Sequence, residues 1–196
     1  PKDMGIMAGT GTNDTKETLE HSAKALEAGA DSLLIVTPPY NKPSPLGLRK
    51  HYEVISEEFN QPICLYHVPS RTGQLLSAKL LADLSDIKHI EWIKEASGDL
   101  SLFSKVCQLS EAKILSGDDF TYLPSISVGG AGVISVITNI LPHPFKAMAE
   151  AAVNGHSAKA LEIHDVLFEL METLFIEANP GPVKHLTHCL GFGSAF

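Results

Sequence analysis

Two segments, ICLYHVPSRTG (63–73) and HIEWIKEASGD (89–99), decide the fold. In each, an apolar run that reads as a buried strand stops at a reactive side chain, Tyr66 in the first and Lys94 in the second. Glycine, proline and small polar residues follow at once. Between them SAKLLADL (77–84) carries the helical period. A strand, a helix and a strand in that order place the two strand ends side by side on one edge of a parallel sheet, about 4.8 Å apart. A phenol and an amine so placed can work on one substrate.

The same alternation extends outward. GIMAGTGTNDT reads as a strand end and a loop, with Asp14 and Glu17 at the spacing of a capping box and Leu19, Ala23, Leu26 and Ala30 at helical period. DSLLIVT (31–37) is a continuous apolar run, the mark of a parallel strand covered on both faces. The prolines of PPYNKPSP (38–45) stop it, and a helix is expected over about 46–59. Beyond Lys94 come a helix near 99–109, a short strand AKILSG (112–117), a helical turn over 119–126 and a strand GVISVI (132–137). After residue 140 two helical stretches, about 143–153 and 156–176, follow without a strand between them. These are five strand–helix units and the tail of a sixth. They suit either an open doubly wound sheet or a (β/α)₈ barrel, and the helical appendix suits the barrel better. The expected division is a partial barrel over 1–142 and a helical region over 143–196.

Composition narrows the function. The 196 residues carry a net charge of −8 with no block of Lys or Arg, which argues against a nucleic-acid partner. No apolar run is long enough to span a membrane, and PKDMGIMAG lacks the ordered regions of a signal peptide. Cys64, Cys107 and Cys189 form no CxxC, so free, mostly buried thiols in a reducing cytoplasm are expected.

Lys94 is the strongest chemical candidate. Position alone leaves open a lysine that snorkels or pairs with Glu95, but an amine at a buried strand end also suits a Schiff base. Imine formation needs the neutral amine, and an apolar interior disfavours the charged one. Tyr66 reads either as a core aromatic or as a proton carrier beside it, with Tyr40 of PPYN as relay partner or surface aromatic. Arg71 in PSRTG, which reads as a loop bounded by proline and glycine, can grip a carboxylate in bidentate fashion, or stand solvated. Of Asp118 and Asp119, which follow Gly117, one acid could orient substrate while the other caps the next helix. No third ligand at a matching spacing supports a metal there, and neither GTG (9–11) nor GGAG (129–132) makes a dinucleotide or phosphate fingerprint. No cofactor is expected.

Taken together, YHVPSRTG, IKEASGD, LSGDD and GGAGVISV, with AGTGTNDT and TPPYNKP before them and NPGPVK after, resemble the dihydrodipicolinate synthase family. That family belongs to the class I pyruvate-dependent aldolase group that also holds N-acetylneuraminate lyase. The resemblance implies a (β/α)₈ TIM barrel, of which this chain carries strands three to eight, with a C-terminal helical domain and a homotetramer of tight dimers. It implies that Lys94 forms the imine with pyruvate, that Tyr66 relays protons, and that Tyr40 crosses a dimer interface. Arg71 would receive the carboxylate of L-aspartate 4-semialdehyde, and Gly117, Asp118 and Ile134 would line the pocket. His67 stands where the family commonly has Asn. Asn13 and Glu17 match a lysine-inhibitor site, whereas Pro39 replaces a tyrosine of that site. The family's first two strands and its Thr-Thr-Gly-Glu motif have no counterpart here, so a longer gene product is expected. The alternatives are another pyruvate-type lyase acting on a sugar acid and an inactive paralogue that only dimerises.

Overall fold

The structure is a computed structural model that describes residues 4–194. Its strands are β1 (Met7–Gly9), β2 (Ser32–Val36), β3 (Ile63–His67), β4 (Ile90–Glu95), β5 (Lys113–Ser116) and β6 (Gly132–Val133). The helices are α1 (Thr15–Glu27), α2 (Pro45–Glu58), α3 (Pro69–Thr72), α4 (Ala78–Ser85), α5 (Leu100–Leu109), α6 (Asp119–Ile126), α7 (Pro142–Val153), α8 (Ser157–Thr173) and α9 (Gly181–Cys189). The strands lie in one sheet in chain order, β1 through β6. A doubly wound sheet reverses its order at a switch point. This one does not, so the strands are those of a partial (β/α)₈ barrel, followed by a helical region. No helix among the described residues is long and apolar enough to cross a membrane.

The described residues form two compact units, 4–115 with 128–131, and 116–127 with 132–194. In the first, alternate strand residues Leu33, Ile35, Ile63, Leu65 and Ile93 pack with Leu48, Tyr52 and Ile55 of α2, Leu81 and Leu84 of α4, and Val106 of α5. That face of β2, β3 and β4 is therefore the helix-covered one. α1 departs from expectation: its fully buried positions are the polar Thr18 and Ser22, with Leu19 and Leu26 only partly buried. The reason is local. Ser22 Oγ bonds Thr10 Oγ1 at 2.8 Å, and Thr18 Oγ1 accepts the Thr12 N–H at 3.0 Å, which pins the GTG loop to the helix. A Cβ on Gly11 would lie 2.5 Å from the Val36 nitrogen, so the glycine is there for a close crossing of β2. The second unit packs Tyr122, Phe145, Met148, Leu167, Met171 and Leu174 around α6, α7 and α8.

Two elements differ from the sequence reading. PSRTG is not an open loop but a single helical turn, with Pro69 at its start and Gly73 closing it at φ 72°. GVISVI contributes only Gly132–Val133 as strand. Ile134 still donates its N–H to the Ser116 carbonyl at 2.9 Å. The N–H groups of Val136 and Ile137 go instead to Asp119 Oδ2, at 3.0 and 2.8 Å, and cannot join a ladder. The thiols differ too: all three are free, but Cys64 alone is buried, while Cys107 is half-buried and Cys189 exposed.

One buried histidine sets an acid limit on stability. His51 of α2 bonds Thr15 Oγ1 through Nδ1 at 2.9 Å, and its Nε2 is buried without a partner among the described residues. Burial pushes its imidazole down to about 4, partly offset by the Asp14 carboxylate. The folded state thus binds its proton less readily than the unfolded chain does. Stability is intact above about pH 6.5 and falls as the pH drops toward 4, by about 3 kcal/mol. Denaturant midpoints across that window are expected to fall more steeply for the native sequence than for His51→Gln, which cannot titrate. Parallel slopes would contradict it.

Candidate active site

The C-terminal ends of β3 and β4 carry the two foremost candidates, Tyr66 and Lys94. Their pairing starts with Ile63 opposite Ile90, and then Cys64 lies opposite Trp92. One residue, Glu91, is therefore extra on β4, a bulge of the kind that re-aims side chains beside functional sites. Its consequence is direct. With the bulge, Tyr66 lies opposite Lys94 and His67 opposite Glu95; without it, Tyr66 would face Ile93.

Because side chains alternate along a strand, Tyr66 and Lys94 share the face opposite the helix-covered one. Lys94 is 9% exposed, and its Nζ stands 4.0 Å from the centroid of the half-buried Tyr66 ring. An amine over a ring face is held electrostatically in its charged form and by dispersion in either. The next pair, His67 and Glu95, turns to the helix-covered side. His67 Nδ1 is 3.2 Å from Glu95 Oε1, which also accepts the Ser97 N–H at 2.8 Å. This pair was not singled out as functional from sequence. Its signal was available, since His67 and Glu95 each sit one position past a reactive residue.

The loops above these strand ends are stitched together. Tyr40 N–H donates to the Thr72 carbonyl at 3.3 Å, and Asn41 Nδ2 to the Asn13 carbonyl at 3.0 Å. Gln74 Nε2 donates to the Pro43 carbonyl at 3.0 Å. Tyr40 is 88% exposed and has φ 72°, a strained backbone for a bulky side chain. Arg71 lies in α3 and is exposed. Asn13 and Glu17 are exposed at the start of α1, where Glu17 N–H donates to Asp14 Oδ1 at 2.9 Å.

The remaining candidates lie in the second unit. Gly117 is buried, and Asp118 and Ile134 are half-buried. Asp118 occupies the N-cap position of α6, yet its side chain makes no capping bond. The fully buried Asp119 takes a role expected of neither acid, holding the Val136 and Ile137 amides. Doing so fixes the backbone that follows Ile134.

Residues 2–195 match the Dihydrodipicolinate synthetase family. The chain is 46% identical over 189 residues to the 4-hydroxy-tetrahydrodipicolinate synthase of Methanocaldococcus jannaschii, covering 95% of this chain and 65% of that protein. It is 41% identical over 195 residues to the enzyme of the same name from Methanothrix thermoacetophila, covering 98% and 66%. Among solved structures it is similar to a chloride-inhibited dihydrodipicolinate synthase of Acinetobacter baumannii complexed with pyruvate. That likeness has a TM-score of 0.93 and 38% identity, over 97% of this chain and 66% of that one. The chain thus spans about two thirds of the length of these relatives.

Cys64 sits two residues before Tyr66 and is a rival nucleophile. Burial pushes its thiol up to about 12, with Lys94 offsetting part of the rise. It is therefore expected to resist a disulfide reagent in the native protein near neutral pH and to react once the chain is unfolded. Rapid labelling of Cys64 in the folded state would make the thiol, not the amine, the reactive group of this strand end.

Proposed function

The chain belongs to the dihydrodipicolinate synthetase family, and from that premise we propose that it works as a 4-hydroxy-tetrahydrodipicolinate synthase. This is a Schiff-base-forming lyase that condenses pyruvate with L-aspartate 4-semialdehyde on the diaminopimelate route to lysine. The observation that carries the reading is the buried Lys94 amine against the Tyr66 ring at the end of two paired strands.

In this reading the neutral Lys94 amine attacks the pyruvate ketone. The resulting carbinolamine loses water to give an imine, and a methyl proton then leaves to give the enamine. Tyr66, touching Lys94, carries protons to and from the carbinolamine oxygen, with Tyr40 as its relay partner. The enamine carbon attacks the aldehyde, whose carboxylate Arg71 holds. The amine of the aldehyde substrate then displaces Lys94 as the ring closes. Roles for Gly117, Asp118 and Ile134 in lining the pocket rest on the family resemblance, as does a lysine-binding role for Asn13 and Glu17. The exposure and strained backbone of Tyr40 support its use at a subunit contact, in a homotetramer built from tight dimers. A cytoplasmic location goes with the substrates.

The test is turnover in the longest chain the gene encodes, with pyruvate and aspartate semialdehyde against N-acetylneuraminate. Product from the first pair only is expected; cleavage of N-acetylneuraminate would move the protein to the sialic-acid branch. Tyr66→Phe should lower kcat by roughly 10²–10³ with the fold intact, the range for lost acid–base help. Unchanged turnover would remove Tyr66 from the relay. Arg71→Ala should raise KM for the aldehyde far more than KM for pyruvate, and an equal effect on both would make Arg71 structural.

A further inference from the structure

His67 is fully buried and accepts the Leu76 N–H on its Nε2 at 3.1 Å. A backbone amide can only donate, so that nitrogen carries no proton. The ring is then neutral, and its proton sits on Nδ1, facing Glu95 Oε1 at 3.2 Å. The donors therefore run one way: Leu76 N–H to His67, His67 Nδ1–H to Glu95, and Ser97 N–H to the same carboxylate oxygen. Glu95 is 3% exposed, so these bonds lie in a low-dielectric interior where breaking one is costly.

The relay joins three parts of the proposed site. His67 follows Tyr66, Glu95 follows Lys94, and the segment that His67 closes back to Leu76 contains Arg71. The Ala96 N–H, donated to the His67 carbonyl at 2.9 Å, locks the same two strand ends through the backbone. Neither side chain shares the strand face of Tyr66 and Lys94, so neither touches substrate there.

We propose that His67 and Glu95 are positioning residues, a buried relay behind the sheet that holds Lys94 against Tyr66 and fixes the turn bearing Arg71. The role rests on the reaction proposed above, but the geometry can be read without it. The Lys94 amine lies over the Tyr66 ring, so the methylene protons next to it carry a ring-current shift in the native protein.

Nitrogen-15 spectra of the native protein are expected to show His67 as the neutral Nδ1–H tautomer; the Nε2–H form or a charged ring would overturn the relay. Glu95→Ala should reduce the Lys94 ring-current shift and lower kcat roughly 10- to 100-fold, the cost of a misplaced reacting pair. Glu95→Gln, whose amide oxygen accepts the same two donors, should restore both. A Glu95→Ala protein that melts earlier but keeps its shift and its kcat would reduce the pair to a stability element. So would a Glu95→Gln protein as impaired as the alanine variant. If the native protein shows no turnover, the proposed reaction fails, and the tautomer and the ring-current shift still decide the relay.

Discussion

The parallel pairing of β3 with β4 is the constraint on which the rest depends. A strand has a side-chain period of two, so a slip of one residue exchanges its faces. Here the slip is built in. The extra Glu91 sets Tyr66 beside Lys94, and it sets His67 beside Glu95 on the reverse side. One irregularity thus sorts four polar residues into two pairs. The first contains an amine and a π face at 4.0 Å. The second contains a neutral imidazole and a carboxylate in hydrogen-bond contact.

The covered face explains why the register holds. Ile63, Leu65 and Ile93 are each fully buried against α2, α4 and α5, and a shifted register would bring polar groups into that layer. Burying an unpaired polar group costs about 1–3 kcal/mol, so the apolar alternation and the relay of His67 reinforce one another. Above the strand ends, side-chain amides of Asn41 and Gln74 reach carbonyls of neighbouring loops. These bonds carry the order of the sheet into the segments that hold Tyr40 and Arg71.

Much of this was legible in the sequence. The apolar runs at DSLLIVT and ICLYHV became β2 and β3, and Asp14 stands as the N-cap where α1 begins. These signals are local, set by propensity and by short-range hydrogen bonds. What escaped was set by distant partners. The bulge at Glu91 depends on the facing strand, the early end of β6 on the Asp119 carboxylate, and the buried polar face of α1 on threonines of the preceding loop. Asp119 was read as one of two acids available for a cap or a substrate, and its true partners lie 17 and 18 residues away. The choice between a barrel and a doubly wound sheet also needed strand order, which periodicity does not contain.

The most direct measurement is reductive trapping of the protein with pyruvate and borohydride, followed by peptide mapping. A buried Lys94 amine that acts as the nucleophile predicts a mass increase confined to the peptide bearing Lys94, seen only when pyruvate and reductant are both present. Labelling that persists in Lys94→Ala, or that falls on another lysine of the native protein, would contradict the account.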